Sequence, residues 1–362
     1  MPPSRSHRSS ASPAPDGDGP TELVAPRVDE ELLKFFAEQR AMADSQDPEA
    51  TVLIDEIERL LRSGGKRLRP AFCYWGFVAS GCGEAEETEG IIRVASALEL
   101  FHTFALIHDD VMDHALLRRK EPTVHVHLAE RRRAAGRADP GDFGLAGAIL
   151  AGDLALVLAD DLLASAPFPP EVLASAVGRY GRMRSEVVAG QFLDVAGTGS
   201  DVGEDEARRI GFMKSGSYSV LAPLEIGAML GGADAATFSM IAAYGTPLGE
   251  AFQIRDDLDN ALRDDTSLDL VEGKPTVLLA RARSSATGGA RRVLDSHVGR
   301  GPMSAEGLAV VRDVLRSTGA VDETVRLQRG LVDRAEEALD PGLAGPASEP
   351  LRSLAAALRW QD

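Results

Sequence analysis

The sequence predicts an all-α protein, and three observations support this. From residue 28 onward apolar residues recur three and four positions apart, as in VDEELLKFFAEQR (28–40) and ATVLIDEIERLLRSG (50–64), which is the spacing of one helical face. Runs that alternate apolar and polar residues, typical of strands, are nearly absent. Gly and Pro cluster between the helical stretches, for example at 136–144 and 167–170. We therefore expect about ten helices in one bundle, without a solenoid repeat of roughly 20 to 50 residues.

One domain is expected to follow a tail. Residues 1–25 are rich in Ser, Pro and Arg and contain no long apolar stretch, so we interpret them as a disordered tail rather than a signal peptide. Residues 26–362 are then a single helical domain. The most apolar run, 145–166, is interrupted by three Asp residues, which predicts no membrane span. With only two cysteines in the chain, a reducing, cytoplasmic location is expected.

The charge excludes one class of function and favours another. The chain has 39 basic and 56 acidic residues, for a formal net charge of -17. A general nucleic-acid binder needs a surplus of Lys and Arg for phosphate contacts, and this chain lacks it. An acidic protein can still hold phosphates through divalent cations. The composition therefore favours a protein that binds phosphates through a divalent metal ion.

Two long helical stretches end in clustered acids. Residues 90–113 are apolar around most of the helix until the acids begin, which predicts burial, and residues 237–260 repeat the arrangement. The acids are Asp109, Asp110 and Asp113 in the first stretch and Asp256, Asp257 and Asp259 in the second. Asp109 and Asp113 are four apart and share a helical face. Charges at the end of a buried helix need partners, and Mg²⁺ can neutralise such acids while water and substrate phosphate oxygens supply its other ligands.

Basic residues that could bind phosphate occur both before and after the first acidic cluster. Residues 64–70, GGKRLRP, place three cations after two glycines, where the backbone can approach a ligand closely. Arg118 and Arg119 follow the first acidic cluster. Guanidinium groups match phosphate oxygens through paired hydrogen bonds. The pattern is that of one diphosphate bridged by Mg²⁺ to carboxylates and another held directly by Arg and Lys.

At these residues the chain resembles the trans-isoprenyl diphosphate synthase (polyprenyl synthetase) family, in the style of its actinobacterial geranylgeranyl diphosphate synthases. The matching segments occur in the family's order: GGKRLRPAF (64–72), ELFHTFALIHDDVMD (99–113), RRKEPTVH (118–125), AGD (151–153), GQFLD (190–194), KSGSYS (214–219), GEAFQIRDD (249–257) and EGKPTVLL (272–279). The resemblance implies an isoprenoid-synthase type of helical bundle around a central active-site cavity. It also implies a homodimeric prenyltransferase that joins isopentenyl diphosphate to an allylic diphosphate by ionisation, condensation and elimination.

The resemblance further implies roles for individual residues. Asp109, Asp113 and Asp256 would ligate metal, with three Mg²⁺ ions per site, and Asp110 and Lys214 would assist catalysis. The allylic diphosphate would be bound by Arg118, Lys214, Ser215, Gln253 and Lys274. Isopentenyl diphosphate would be bound by Lys66, Arg69, His102 and Arg119.

The chain departs from the family pattern near the second acidic motif. Asn260 stands where the family commonly has Asp, and Asp259 is expected to share a helical face with Asp256 and compensate. The segment 263–272 is short and lacks a Lys that family members often carry. Both departures predict weaker binding of the allylic diphosphate.

The length of the prenyl product is expected to depend on the size of the side chains along the helix before Asp109. Phe104 and Ala105 lie about one turn deeper and Phe101 about two. A large ring at 104 beside a small residue at 105 resembles geranylgeranyl-forming members, whereas a gate at Phe101 would stop the chain at farnesyl length. A farnesyl diphosphate synthase, a class I terpene cyclase and a non-catalytic synthase subunit therefore stay open as alternatives.

Overall fold

The computed structural model describes residues 19–82, 87–263, 266–339 and 345–361. Within these ranges the chain is almost entirely helical, which confirms the predicted fold class. The α-helices are α1 Ala25–Gln46, α2 Thr51–Arg62, α3 Leu68–Ala79, α4 Glu87–Met112, α5 Val124–Ala134, α6 Pro140–Ala164, α7 Pro170–Gly197, α8 Glu204–Gly211, α9 Ala222–Leu230, α10 Ala235–Arg263, α11 Leu268–Glu272, α12 Val277–Ser285, α13 Gly288–His297, α14 Ala305–Ser317, α15 Ala320–Leu339 and α16 Ser348–Leu358.

Three short elements complete the described chain. A one-turn 3₁₀ helix spans Pro48–Ala50, and a ten-residue π-helix, Phe212–Leu221, connects α8 to α9. Strands β1 Leu117–Arg118 and β2 Glu121–Pro122 form a small antiparallel hairpin. The predicted number of about ten helices was too low, because several of the short helices are separated only by single Gly-containing turns that periodicity does not resolve.

Helix α4 lies in the middle of the bundle. It packs against α6, α3 and α1, while the π-helix packs between α7 and α10. The apolar circumference predicted for residues 90–113 is buried, with Ile91, Leu98 and Phe101 in the core. Helix α10 continues through Pro247 and reaches the second acidic motif. The two acid-bearing helices are therefore central to the fold, as their apolar sequences predicted.

The expected tail was drawn too long. Val24 is buried in the core, and the Trp75 indole donates a hydrogen bond to the Pro20 carbonyl at 2.8 Å. Residues 20–25 therefore belong to the folded domain because an apolar contact and a backbone hydrogen bond attach them to α3. Residues 1–18 of the expected tail lie outside the described part of the chain.

By length and composition, α4 and α6 are the described helices that could cross a membrane. Seventy-two per cent of the apolar window of α4 is buried, as expected of a core helix, whereas for α6 the figure is 44%. Helix α6 therefore has an apolar face that the rest of the described chain leaves uncovered.

Candidate active site

The end of α4 directs three carboxylates in two directions. Asp109 and Asp113 are partly accessible, whereas Asp110 is 1% exposed. The Asp110 carboxylate accepts hydrogen bonds from Arg118 at 2.6 and 2.7 Å. Burial raises the pKa of Asp110 to about 6, and Arg118 opposes the shift. Asp109 and Asp113 thus stay partly accessible, while Asp110 positions Arg118.

Two lysines and one further carboxylate complete the cluster around Asp109 and Asp113. The Lys214 ammonium lies 2.7 Å from Asp194 Oδ2 and 3.4 Å from Asp109 Oδ1. The Lys274 ammonium lies 2.5 Å from Asp113 Oδ2 and 3.6 Å from Asp194 Oδ2. Asp194 thereby joins both lysines, so α4, α7, the π-helix and the loop before α12 converge at one point.

The acid and base charges in this cluster shift one another's pKa values. Burial alone would raise the pKa of Asp109, but Lys214, Lys274 and Arg118 outweigh it and the net pKa is lowered. Burial and the charge of Asp109 raise the pKa of Asp113, against the effect of Lys274. Burial lowers the pKa of Lys214, but Asp109 and Asp194 raise it by more, so the net pKa lies above its ordinary value. The lysines are therefore charged donors, ready to bind an anion.

The second acidic motif on α10 is divided in the same way. Asp256 is solvent-accessible, yet the surrounding protein raises its pKa to about 6, with Arg69 opposing the shift. Asp257 is buried and accepts a 2.6 Å hydrogen bond from the Gln253 amide. Burial and the neighbouring Asp269 raise the pKa of Asp257 well above its ordinary value. Gln253, expected to contact the allylic diphosphate, is therefore directed at Asp257.

Asp259, which is expected to compensate for Asn260, is paired with two arginines on its own helix. Its carboxylate is held by Arg263 at 2.9 Å and by Arg255 at 3.6 Å, so it belongs to a pair of ordinary helical ion pairs. Asn260 has a structural task, since its amide oxygen accepts a hydrogen bond from the backbone N–H of Asp269 at 3.2 Å. Asp269 in turn accepts a backbone hydrogen bond from Lys274 at 2.9 Å. Asn260 thus anchors the segment that carries Lys274; residues 264–265 of that segment lie outside the described chain.

A second cluster of cationic side chains includes Arg69. Arg69 is buried, donates to the Ser219 hydroxyl at 2.6 Å, and places its guanidinium 4.4 Å from the centre of the Tyr218 ring. The Tyr218 hydroxyl and His102 Nδ1 are hydrogen-bonded at 3.2 Å. Burial and the neighbouring arginines, Arg69 first, hold the pKa of His102 well below its ordinary value. A neutral imidazole therefore stands among cations.

The β1–β2 hairpin separates the two adjacent arginines. Arg118 is directed to Asp110, whereas Arg119, in the left-handed conformation at φ 53°, reaches the glycine loop. A Cβ on Gly65 would lie 3.2 Å from Arg119 Nη2. Gly65 has φ 146°, so it serves both the backbone conformation and the close approach. Lys66 is exposed beside it, and Lys120 is exposed at the hairpin turn.

The expected length-determining residues lie below Asp109 on α4. Phe104 and Ala105 are half-buried, and the Phe104 ring contacts those of Phe101 at 5.3 Å and His108 at 4.9 Å. Phe101 is almost fully buried. Ser215, on the π-helix beside Lys214, is buried as well.

Three participating residues were not assigned from the sequence: Asp194, Gln191 and Tyr218. The Gln191 amide donates to Asp109 Oδ1 at 3.1 Å. Gln191 and Asp194 lie three apart in GQFLD and share one face of α7, so this signal was present. Tyr218 had no such signal, because its role depends on the course of the π-helix.

Facing carboxylate and cation clusters inside an all-α bundle define an isoprenoid-synthase type of protein. The polyprenyl synthetase family model matches residues 50–315, and the chain belongs to that family. The chain is 31% identical over 341 residues to the geranylgeranyl pyrophosphate synthase of Geoglobus acetivorans, covering 92% of this chain and 94% of the relative. The farnesyl diphosphate synthase of Mycobacterium tuberculosis is also 31% identical, over 255 residues, 68% of this chain and 65% of the relative.

A solved structure is similar along nearly the whole chain. It is the geranylgeranyl pyrophosphate synthase of Corynebacterium glutamicum, in complex with isoprenyl diphosphate and magnesium. The sequences are 31% identical, the TM-score is 0.88, and the match covers 95% of this chain and 99% of the other. The resemblance inferred from the motifs is thereby confirmed, and the protein is a prenyltransferase of this family.

Proposed function

We propose that this chain is a geranylgeranyl diphosphate synthase, which joins isopentenyl diphosphate to an allylic diphosphate as a Mg²⁺-dependent cytoplasmic homodimer. The observation that carries the proposal is the presence of two cationic groups with different partners. Lys214, Lys274 and Arg118 contact the acidic cluster, whereas Arg69 and Arg119 contact hydroxyl, aromatic and glycine-loop groups. A protein that binds one diphosphate through metal and another directly needs both kinds of cationic cluster, one beside the acids and one apart from them.

The acids fit Mg²⁺ in their chemistry. Asp109 and Asp113 from α4 and Asp256 from α10 would hold the ions, since Mg²⁺ prefers carboxylate oxygens. Among the described side chains no three His, Cys, Asp or Glu are placed to hold an ion by themselves. This agrees with a shared site in which water and diphosphate oxygens supply the other ligands. When bound, three Mg²⁺ ions would neutralise the leaving diphosphate and favour cleavage of the allylic C–O bond.

The protein's own cations would receive the departing diphosphate. Asp194 holds Lys214 at 2.7 Å, and Asp110 holds Arg118 at 2.6 Å, so both donors are fixed before substrate binds. Such preorganised donors stabilise developing negative charge without further rearrangement. Lys274 adds a third donor, paired with Asp113 at 2.5 Å, whereas Gln253 would have to leave Asp257 to reach the diphosphate.

The second substrate would be held beside the resulting allylic cation. Lys66, Arg69, His102 and Arg119 would bind the diphosphate of isopentenyl diphosphate, with neutral His102 as a hydrogen-bonding partner. The double bond then attacks the allylic carbon, and a proton passes to the released diphosphate. The apolar wall formed by Phe104 and its neighbours keeps water from the cation.

The alternatives have less support. A terpene cyclase needs no site for isopentenyl diphosphate, and the buried Arg69 with its Tyr218 and Ser219 partners favours a built site. A non-catalytic subunit would not need Lys214 and Lys274 paired with carboxylates. A farnesyl diphosphate synthase is less supported because the farnesyl relative matches a smaller share of the chain.

Exposed apolar side chains support the homodimer. Ile149, Leu150 and Val157 on α6 and Val188 and Phe192 on α7 are between 46% and 71% exposed. A second copy that packed the same face against this one would bury both. Light scattering coupled to gel filtration tests this: twice the chain mass is expected, and a shift toward the monomer mass is expected for Phe192→Asp.

The reaction is tested directly by product analysis. The purified protein is incubated with Mg²⁺, labelled isopentenyl diphosphate and dimethylallyl, geranyl or farnesyl diphosphate in turn, with chelator as control. The expected terminal product after dephosphorylation is a 20-carbon alcohol. A 15-carbon stop would favour the farnesyl alternative, and no incorporation with any primer would favour the cyclase or the non-catalytic subunit.

A further inference from the structure

Phe101 is clamped by two tyrosines from other elements. Its ring centre lies 5.8 Å from that of Tyr180 on α7 and 5.8 Å from that of Tyr218 on the π-helix, with interplanar angles of 73° and 79°. Both contacts are edge contacts, a preferred aromatic geometry. Phe104 contacts the same ring at 5.3 Å. The side chain of Phe101 is therefore fixed by partners that are 79 and 117 residues away in sequence.

A product chain that grew from the Asp109 end along α4 would extend toward this clamp. Ala105 and Phe101 precede Asp109 by four and eight residues, so all three lie on one side of α4. Eight residues of helix place Phe101 about 12 Å below Asp109. A hydrocarbon chain that starts at the Asp109 end and follows α4 passes small Ala105 and meets the Phe101 ring. Phe104 instead leans toward His108, to the side of this path.

Tyr180 is itself held in place by burial and by Arg184. Its side chain is almost fully buried, and the Arg184 guanidinium lies 4.7 Å from the centre of its ring. Arg184 donates to both oxygens of Asp160 at 2.8 and 2.6 Å, which joins α7 to α6. The α6–α7 gap behind Tyr180 is thus bridged by an ion pair.

The Tyr180 hydroxyl contributes little to this packing. It is buried without a hydrogen bond in the described structure, although burial and the nearby Asp160 raise its pKa. A buried hydroxyl with no partner does not stabilise the fold. What Tyr180 supplies is the bulk of its ring against Phe101.

We infer that Tyr180 is a specificity-determining residue that limits how far the product chain extends along α4 by holding Phe101 in place. The inference rests on the proposed synthase activity and not on a 20-carbon product, because a stop at Phe101 is also what a farnesyl diphosphate synthase would have. Without the Tyr180 ring, Phe101 can turn into the vacated space between α4, α6 and α7, and the chain can grow past it. Tyr180 acts through Phe101, so it is a positioning residue rather than a catalytic one.

The test compares product lengths of variants with those of the wild-type enzyme. Tyr180→Ala is expected to lengthen the main product by at least one five-carbon unit, and Tyr180→Leu to do so for a smaller fraction of the product. Tyr180→Phe is expected to keep the wild-type length. Tyr244→Ala is the matched control, because Tyr244 is fully buried on α10 and donates to the Leu351 carbonyl at 2.7 Å, away from Phe101.

The outcomes separate this inference from the proposed function. A wild-type product of 15 carbons would overturn the geranylgeranyl assignment, yet a longer product from Tyr180→Ala would still support the clamp. Folded, active Tyr180→Ala and Tyr180→Leu variants with wild-type product length would overturn the inference. Equal lengthening by Tyr244→Ala would also overturn it, since the effect would then follow from general loosening.

Discussion

Gly190 on α7 is the position where one added methyl group should disturb both the packing of the helices and the catalytic site. A Cβ at this site would lie 2.3 Å from the Lys214 backbone nitrogen, 2.6 Å from the Met213 carbonyl carbon and 2.8 Å from the Lys214 Cα. All three atoms are backbone, so no side chain can turn aside. To reach an ordinary contact of 3.4 Å, α7 and the π-helix must separate by about 1 Å.

Gly190→Ala is therefore expected to affect stability and turnover together. Overpacking of this kind costs about 1–3 kcal/mol. Asp194 moves with α7 while Lys214 moves with the π-helix, so their 2.7 Å contact lengthens. A misplacement of about 1 Å at a site that binds the reacting group can cost about 10²-fold in rate.

The assay pairs urea unfolding with steady-state incorporation of labelled isopentenyl diphosphate. Gly178→Ala is the control on the same helix, because a Cβ there meets nothing within 4 Å. It is expected to stabilise the protein by about 0.5–1 kcal/mol and to keep full turnover. If Gly190→Ala unfolds and turns over like the wild type, the close approach does not matter. If it loses stability but keeps its rate, the packing argument stands and the positioning argument fails.

Three further predictions follow from named contacts. Asp109→Ala removes the carboxylate 3.4 Å from Lys214 and should lower turnover by about 10²-fold or more with little change in the unfolding midpoint; unchanged turnover would contradict its role. Glu99→Gln breaks the buried 2.8 Å ion pair with Arg67 and should lower the free energy of unfolding in urea by about 3 kcal/mol. Arg291→Ala breaks an exposed ion pair and should lower it by no more than about 1 kcal/mol. Equal losses from the two variants would refute the role of burial. Burial and neighbouring arginines hold the pKa of His102 well below 6.5, so the unfolded chain gains a proton that the folded chain does not. Stability should then fall as the pH drops below about 6.5, by up to about 1.4 kcal/mol per pH unit, and His102→Gln should reduce that slope; identical pH profiles of thermal unfolding would count against it.

Much of the fold was readable from local patterns. Apolar periodicity predicted the helices, and the nearly continuous apolar surface of 90–113 predicted that α4 would be central. The spacing of Asp109 and Asp113 placed both on one face. The number of helices and the length of the tail were less accessible, because short turns and the Trp75–Pro20 hydrogen bond leave no periodic signal.

The site could be predicted only in part, because the role of each carboxylate depends on contacts with residues that are distant in sequence. Asp109 and Asp110 are neighbours in sequence, yet Asp109 is partly accessible and Asp110 is buried against Arg118. Asp259 looked available, but two arginines on its own helix hold it.

The sequence by itself determined which helices form, which of their faces are apolar and which residue types the chemistry can use. These properties depend on the dihedral preferences and spacing of residues within a few turns of one another. Only the tertiary structure decided that Asp194 joins Lys214 to Lys274 and that Tyr180 and Tyr218 hold Phe101. Such contacts depend on how helices cross, and crossing is set by the packing of whole surfaces, which no local pattern records.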